Sequence, residues 1–178
     1  MTGTGRSGGG AAGQGDIGRA AVYACEIAAF DGTDLESVRP IADIAELVDR
    51  VTSGAWWPGP AVRVEAARHG ARSSGAHGPV SGGGGAPVRI RVAVGQATVA
   101  TAAHELAHAL AGVGHGHDPL YRCAYLDVIH VITNIDPTDR RGDVHVRQLA
   151  DAFASAGLSV AARRWPPPAP AVGGPIVL

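Results

Sequence analysis

The chain has 178 residues, 26 of them Gly and 12 Pro, with 15 basic and 16 acidic side chains and a formal net charge of −1. That length holds one domain of ordinary size and excludes two, and the balanced charge excludes a whole-chain field drawing in nucleic acid or an anionic membrane. Every basic residue is Arg, so a Schiff-base Lys and a P-loop Lys are both excluded.

Residues 1–17 read as a flexible Gly-rich tail. Its literal GxGxxG at Gly8, Gly10 and Gly13 follows no strand and is a coincidence of low complexity. The tail has no apolar stretch of the signal-peptide kind. Nor does any run of about 18 uncharged apolar residues suggest a membrane span. A cytoplasmic protein is expected. Residues 18–30 place Ala21, Cys25, Ala28 and Ala29 on one face of a first helix. Residues 41–52 form a second, with Ile41, Ile44, Ala45, Leu47, Val48 and Val51 apolar, broken by Trp56, Trp57, Pro58, Gly59 and Pro60.

Residues 61–67 alternate through Val62 and Val64 as a short strand, and residues 70–86 read as a Gly-rich loop. Residues 87–94 give the clearest strand, with Val88, Ile90, Val92 and Val94 on one face and Arg89 and Arg91 on the other. A helix over 97–111 leads into a Gly/His turn at 112–117. Asp118 as N-cap and Pro119 at the first helical position then open a helix to about 133. After a polar turn at 134–142, Val144, Val146, Leu149, Ala150 and Phe153 mark a helix over 143–156, ended by Gly157. Residues 158–165 read as a last short strand, and 166–178 as a Pro/Gly-rich tail. The expected fold is α+β: one compact domain over 18–165 with a small, mainly antiparallel sheet. Cys25 and Cys123 lie in apolar stretches and read as buried reduced thiols.

Four of the eight His fall between positions 104 and 117. Residues 104–108 read His104-Glu105-Leu106-Ala107-His108, an HExxH pattern. On a helix, side chains at i and i+4 are neighbours, with Cβ atoms about 6 Å apart. Two imidazoles so placed converge on one Zn²⁺ at about 2.0–2.1 Å. Glu105 follows one residue on, roughly 100° round the axis, where it flanks the metal as general base for its water. Val99, Ala103, Leu106 and Leu110 form an apolar face well away from the two imidazoles.

A third ligand is needed. Ala111 and Gly114 stand where a metzincin has its Gly and third His, and Met1 is the only Met, so no Met-turn exists. No Glu follows Glu105, which removes a thermolysin-like third ligand. His115, His117, Asp118 and Asp127 remain. His117, just ahead of the capped helix, is preferred, and His115 is its rival.

His104-Glu105-Leu106-Ala107-His108 followed by His117-x-Pro119-x-Tyr121 resembles the motif pair of SprT-like and related minimal zincin metallopeptidases: HExxH, a variable turn, then a His-Gly-Pro-x-Phe type segment. In that alignment His117 matches the third zinc ligand and Tyr121 the aromatic. The stretch HELAHALAGVGHGHDPLYRCAYLDVI is more closely similar to a family of uncharacterised actinobacterial metallohydrolases. The resemblance implies a compact zincin-like core with the active-site helix behind an edge strand, and a metallohydrolase of unnamed substrate. The turn is shorter than in SprT-like proteases and no zinc-ribbon or DNA-binding tail is present, so a role at DNA–protein crosslinks is not carried over.

Together these readings give a zinc-dependent metallohydrolase, in expectation a metallopeptidase acting on a peptide or protein. His104, His108 and His117 hold Zn²⁺ and Glu105 is the base. Strand 87–94 serves as a sheet edge for an extended substrate, and Tyr121 or Tyr125 is a candidate hydrogen-bond donor to it. The alternative is a non-catalytic zinc-binding structural or interaction module. No nucleic-acid or membrane partner is expected, and nothing sets the oligomeric state.

Overall fold

The computed structural model describes residues 18–71, 73–78, 86–134 and 141–168. The expected tail at 1–17, residues 72 and 79–85 of the expected Gly-rich loop, residues 135–140 of the expected polar turn and residues 169–178 lie outside the described residues.

Helix α1 spans Arg19–Phe30. It buries Val22, Cys25, Ala29 and Phe30, one stripe at helical spacing, while Ala28 is exposed. The buried face is thus rotated from the expected one. Val22 and Phe30 remove more apolar surface from water than Ala21 and Ala28, and their stripe sets the helix's orientation. Helix α2 (Ile41–Ser53) follows Pro40 and buries Ile44, Leu47, Val48 and Val51.

Strands β1 (Val62–Ala66), β2 (Gly75–His77) and β3 (Val88–Val92) form one sheet in the order β1-β3-β2. β1 runs parallel to β3 with Val62 opposite Val88 and Ala66 opposite Val92, and β2 runs antiparallel with Ala76 opposite Ile90. Three expectations change here. The sheet is mixed rather than mainly antiparallel. A strand, β2, lies inside the expected loop, and its Gly-Ala-His sequence carries no alternation to reveal it. β3 is the centre of the sheet, so it offers no edge to a substrate. β3 also ends two residues early: Val94 opens a 3₁₀ turn at Val94–Gln96 and is 71% exposed. Arg91 pairs at 3.8 Å with half-buried Glu65 on the neighbouring strand β1.

Helix α3 (Val99–Ala111) carries the HExxH pattern and packs mainly on helix α4 (Pro119–Thr133). α4 is buried on almost every side, because α3, helix α5 (Arg141–Ser155) and the following segment surround it. α5 also covers α1, where the Cys25 thiol donates to the Ala152 carbonyl. Both Cys are buried free thiols, as expected.

Gly157 leaves α5 in the left-handed region at φ +68°. Residues 158–165 do not form the expected strand. They bind α4 instead: the Ala161 N–H donates to the Pro119 carbonyl, and Arg122 Nε donates to the Ser159 carbonyl at 2.7 Å. Arg163 makes a two-pronged ion pair with Asp127, and Trp165 Nε1 donates to the same carboxylate. The alternation of Leu158 and Val160 is real, but the partner is a helix flank rather than another strand. Among the described residues no helix is long and apolar enough to cross a membrane.

Candidate metal centre

The centre is built on α3. Thr98 starts the helix: its side chain accepts the Thr101 N–H at 3.1 Å and satisfies one of the end's unpaired donors. His104 and Glu105 are buried and His108 is half-buried. Ala102, Ala103, Ala107 and Ala109 keep this helix thin, so α4 approaches closely and the imidazoles become internal.

The turn to α4 decides the third His. Gly112 and Gly116 take φ of +102° and +59°, a region costly for other residues. Gly116 reverses the chain between His115 and His117, so the two side chains part. His115 turns to the surface, with Nδ1 at 2.8 Å from Asp118 Oδ2. His117 turns inward and is 5% exposed. Its backbone is held from two sides. Arg122 Nη1 donates to its carbonyl at 2.6 Å, and Gly18 packs so tightly that a Cβ there would lie 2.9 Å from the same oxygen.

The other candidates are occupied elsewhere. Asp118 Oδ1 accepts the Leu120 and Tyr121 N–H groups at 2.8 and 2.9 Å, capping α4. Partial burial pushes that carboxyl up, but the Tyr121 N–H, His115 and the Leu120 N–H outweigh it and hold it below the usual range. Asp127 is engaged by Arg163 and Trp165.

His104, His108 and His117 bring ring nitrogens within 4.8 Å of one another, a group able to hold a metal ion. The Nε2 atoms of His104 and His117 stand 3.1 Å apart. Two nitrogens on one tetrahedral ion at about 2.05 Å stand about 3.3 Å apart, so little adjustment is needed. The donor chemistry fits as well. Glu26, on α1, places its carboxylate 2.5 Å from His104 Nδ1. With the proton on Nδ1, the Nε2 lone pair faces the cluster, the arrangement common to metal-bound imidazoles.

Glu26 is the residue the sequence reading missed. Its one signal is a carboxylate, the single acidic residue of α1, one position past the buried Cys25. Burial pushes its carboxyl up to about 8, against the opposing pull of His117 and a hydrogen bond with Tyr125.

Glu105 flanks the histidines, and burial raises its carboxyl to about 7. A hydrogen bond from the Ala76 backbone opposes that rise, nearby Glu26 adds to it, and Arg19 opposes it. The register explains the Ala76 bond. Val88 and Val92 bond towards β1 (the Val88 N–H to Ala61, the Val92 carbonyl to Ala67), so Arg89 and Arg91 face β2. Their partners are His77 and Gly75, which leaves the Ala76 N–H on the outer edge, towards Glu105.

Tyr23 stacks on His104 with ring centroids 5.2 Å apart and planes 6° from parallel, and the Arg19 guanidinium lies 5.5 Å over the Tyr23 ring. Inside, the Tyr121 ring lies 4.4, 4.7 and 5.4 Å from the His108, His117 and His104 rings. Tyr125 is placed one turn on, against Phe30.

Comparison with protein-family models, with curated proteins and with solved structures finds no match for this chain. The centre is therefore interpreted from its own chemistry.

Proposed function

We propose that the chain is a zinc-dependent hydrolase of the metallopeptidase type, cleaving peptide bonds in a peptide or protein substrate. The observation that carries this reading is the convergence of His104, His108 and His117 beside a buried carboxylate, Glu105. Three neutral imidazoles suit zinc, and three protein ligands leave a coordination position for chemistry. When bound, the ion supplies Lewis acidity and an acidified water at that position.

The protein's own groups do the rest. Glu105, whose carboxyl burial raises to about 7 in the metal-free chain, serves as the proton carrier. It takes the proton from the attacking water and delivers it to the leaving amine. The Ala76 N–H fixes the carboxylate from the β2 edge, and Glu26 fixes the ring and tautomer of His104. Tyr23 covers His104 from the solvent side.

One observation favours a second reading, a non-catalytic zinc module: His104 and His117 are only 4% and 5% exposed, as ligands of a structural metal usually are. Glu105→Gln separates the two. In a hydrolase it retains stoichiometric zinc and a wild-type melting temperature while cleavage of a mixed peptide pool, followed by mass spectrometry, is lost. A zinc-loaded wild type that cuts no peptide, and that unfolds when zinc is chelated, is the structural module instead.

A further inference from the structure

Tyr121 is fully buried, and among the described residues its hydroxyl has no hydrogen-bond partner. Buried hydroxyls are ordinarily partnered, because leaving one unpaired forfeits its hydration without replacement. A phenyl ring would pack against the three imidazoles equally well, so packing does not account for the oxygen. Tyr125, one turn along the same helix, is the internal contrast. Its hydroxyl meets the Ala100 carbonyl at 3.5 Å and shares a hydrogen bond with Glu26. The Tyr121 ring packs against all three imidazoles, with centroids 4.4, 4.7 and 5.4 Å from those of His108, His117 and His104. Tyr121 therefore borders the histidine cluster from the α4 side.

We propose that Tyr121 is a ligand-binding residue of this centre, its hydroxyl donating a hydrogen bond to the carbonyl or oxyanion oxygen of a substrate seated among the three imidazoles. The proposal rests on the hydrolase reading and deepens it. A preorganised donor in a buried site is strongest where negative charge develops on that oxygen. Tyr121 and Glu105 would then divide the work: Tyr121 stabilises the oxygen of the scissile carbonyl, and Glu105 handles the protons.

Tyr121→Phe in the full chain tests this with three readouts. They are the melting temperature of the zinc-free protein, zinc affinity by competition with a chelator, and calorimetric affinity of the zinc-loaded protein for acetohydroxamate, a small ligand presenting an oxyanion. The expected result is a melting temperature equal to or above wild type, zinc affinity within twofold of wild type, and acetohydroxamate binding weakened tenfold or more. Unchanged acetohydroxamate affinity overturns the proposal. So does a Tyr121→Phe chain that melts well below wild type or without cooperativity, because the hydroxyl then has a structural partner. A wild-type chain that takes up no zinc overturns this proposal together with the hydrolase reading, whereas an unchanged acetohydroxamate affinity overturns this one alone.

Discussion

Glu26 and His104 are 78 residues apart in the chain, and their side chains meet at 2.5 Å. The pair couples α1 to the motif helix and fixes which ring nitrogen of His104 is offered to the cluster. Removing the carboxylate charge while keeping the shape isolates this contribution. Glu26→Gln is expected to weaken zinc binding about 10–100-fold, the range found when carboxylate partners of metal-bound histidines are removed. The check is a zinc titration against a competing chelator. An affinity within threefold of wild type would show that Glu26 is only a packing group.

The choice between His115 and His117 has an equally direct test. His117→Ala should lose stoichiometric zinc by elemental analysis. His115→Ala should keep it and cost at most about 1 kcal/mol, since it removes an exposed pair with Asp118. Gly116→Ala should behave like a weakened His117 variant. Its φ of +59° costs a residue with Cβ about 1 kcal/mol, and any relaxation of that turn moves His117. Zinc lost from His115→Ala but retained by His117→Ala would reverse the assignment.

Stability of the zinc-free protein should fall with rising pH. Glu26 and Glu105 have carboxyls raised to about 8 and about 7 in the fold, against an ordinary 4.5 when unfolded. Between those values the unfolded chain has released protons that the folded chain still holds. This contribution is complete below about pH 4.5 and is lost as pH climbs through about 7 and then about 8. The melting temperature in chelator should therefore decline from about pH 5 to about pH 8. Glu26→Gln should flatten the decline over the whole interval, and Glu105→Gln chiefly below about pH 7. A wild-type melting temperature that rises over that interval contradicts the assignment.

The motif helix was legible because local spacing alone puts His104 and His108 on one side of it, and α4 because Asp118 and Pro119 announce its start. His117 and His115 were not separable by spacing. The deciding variable is the backbone angle at Gly116, and Gly permits either sign of φ without declaring which. Glu26 was illegible because its partner is supplied by tertiary packing between helices far apart in sequence. β2 was hidden for a different reason: Gly75-Ala76-His77 has no alternation, and the strand is fixed by neighbours. The Ala93 N–H donates to Ser74 Oγ, and the Ser74 N–H donates to Gln96. Residues 158–165 misled in the opposite direction. Their alternation was visible, but Arg122, Asp127 and the Pro119 carbonyl of α4 took the place of a neighbouring strand.

The Ala76 N–H permits a test of how Glu105 is tuned. It lies on the free side of β2, so Ala76→Pro removes the donor to Glu105 without removing a bond between β2 and β3. The bond opposes the rise of the Glu105 carboxyl, so losing it moves the carboxyl further above 7. Titration of a ¹³C-labelled Glu105 carboxyl by NMR should show the midpoint displaced to higher pH in Ala76→Pro and unmoved in Ala76→Gly, which keeps the N–H. If peptide cleavage is in hand, the acid limb of its pH profile should shift the same way, with zinc content unchanged. An Ala76→Pro chain whose Glu105 titrates as in wild type would show that the β2 edge shapes the cleft without tuning the base.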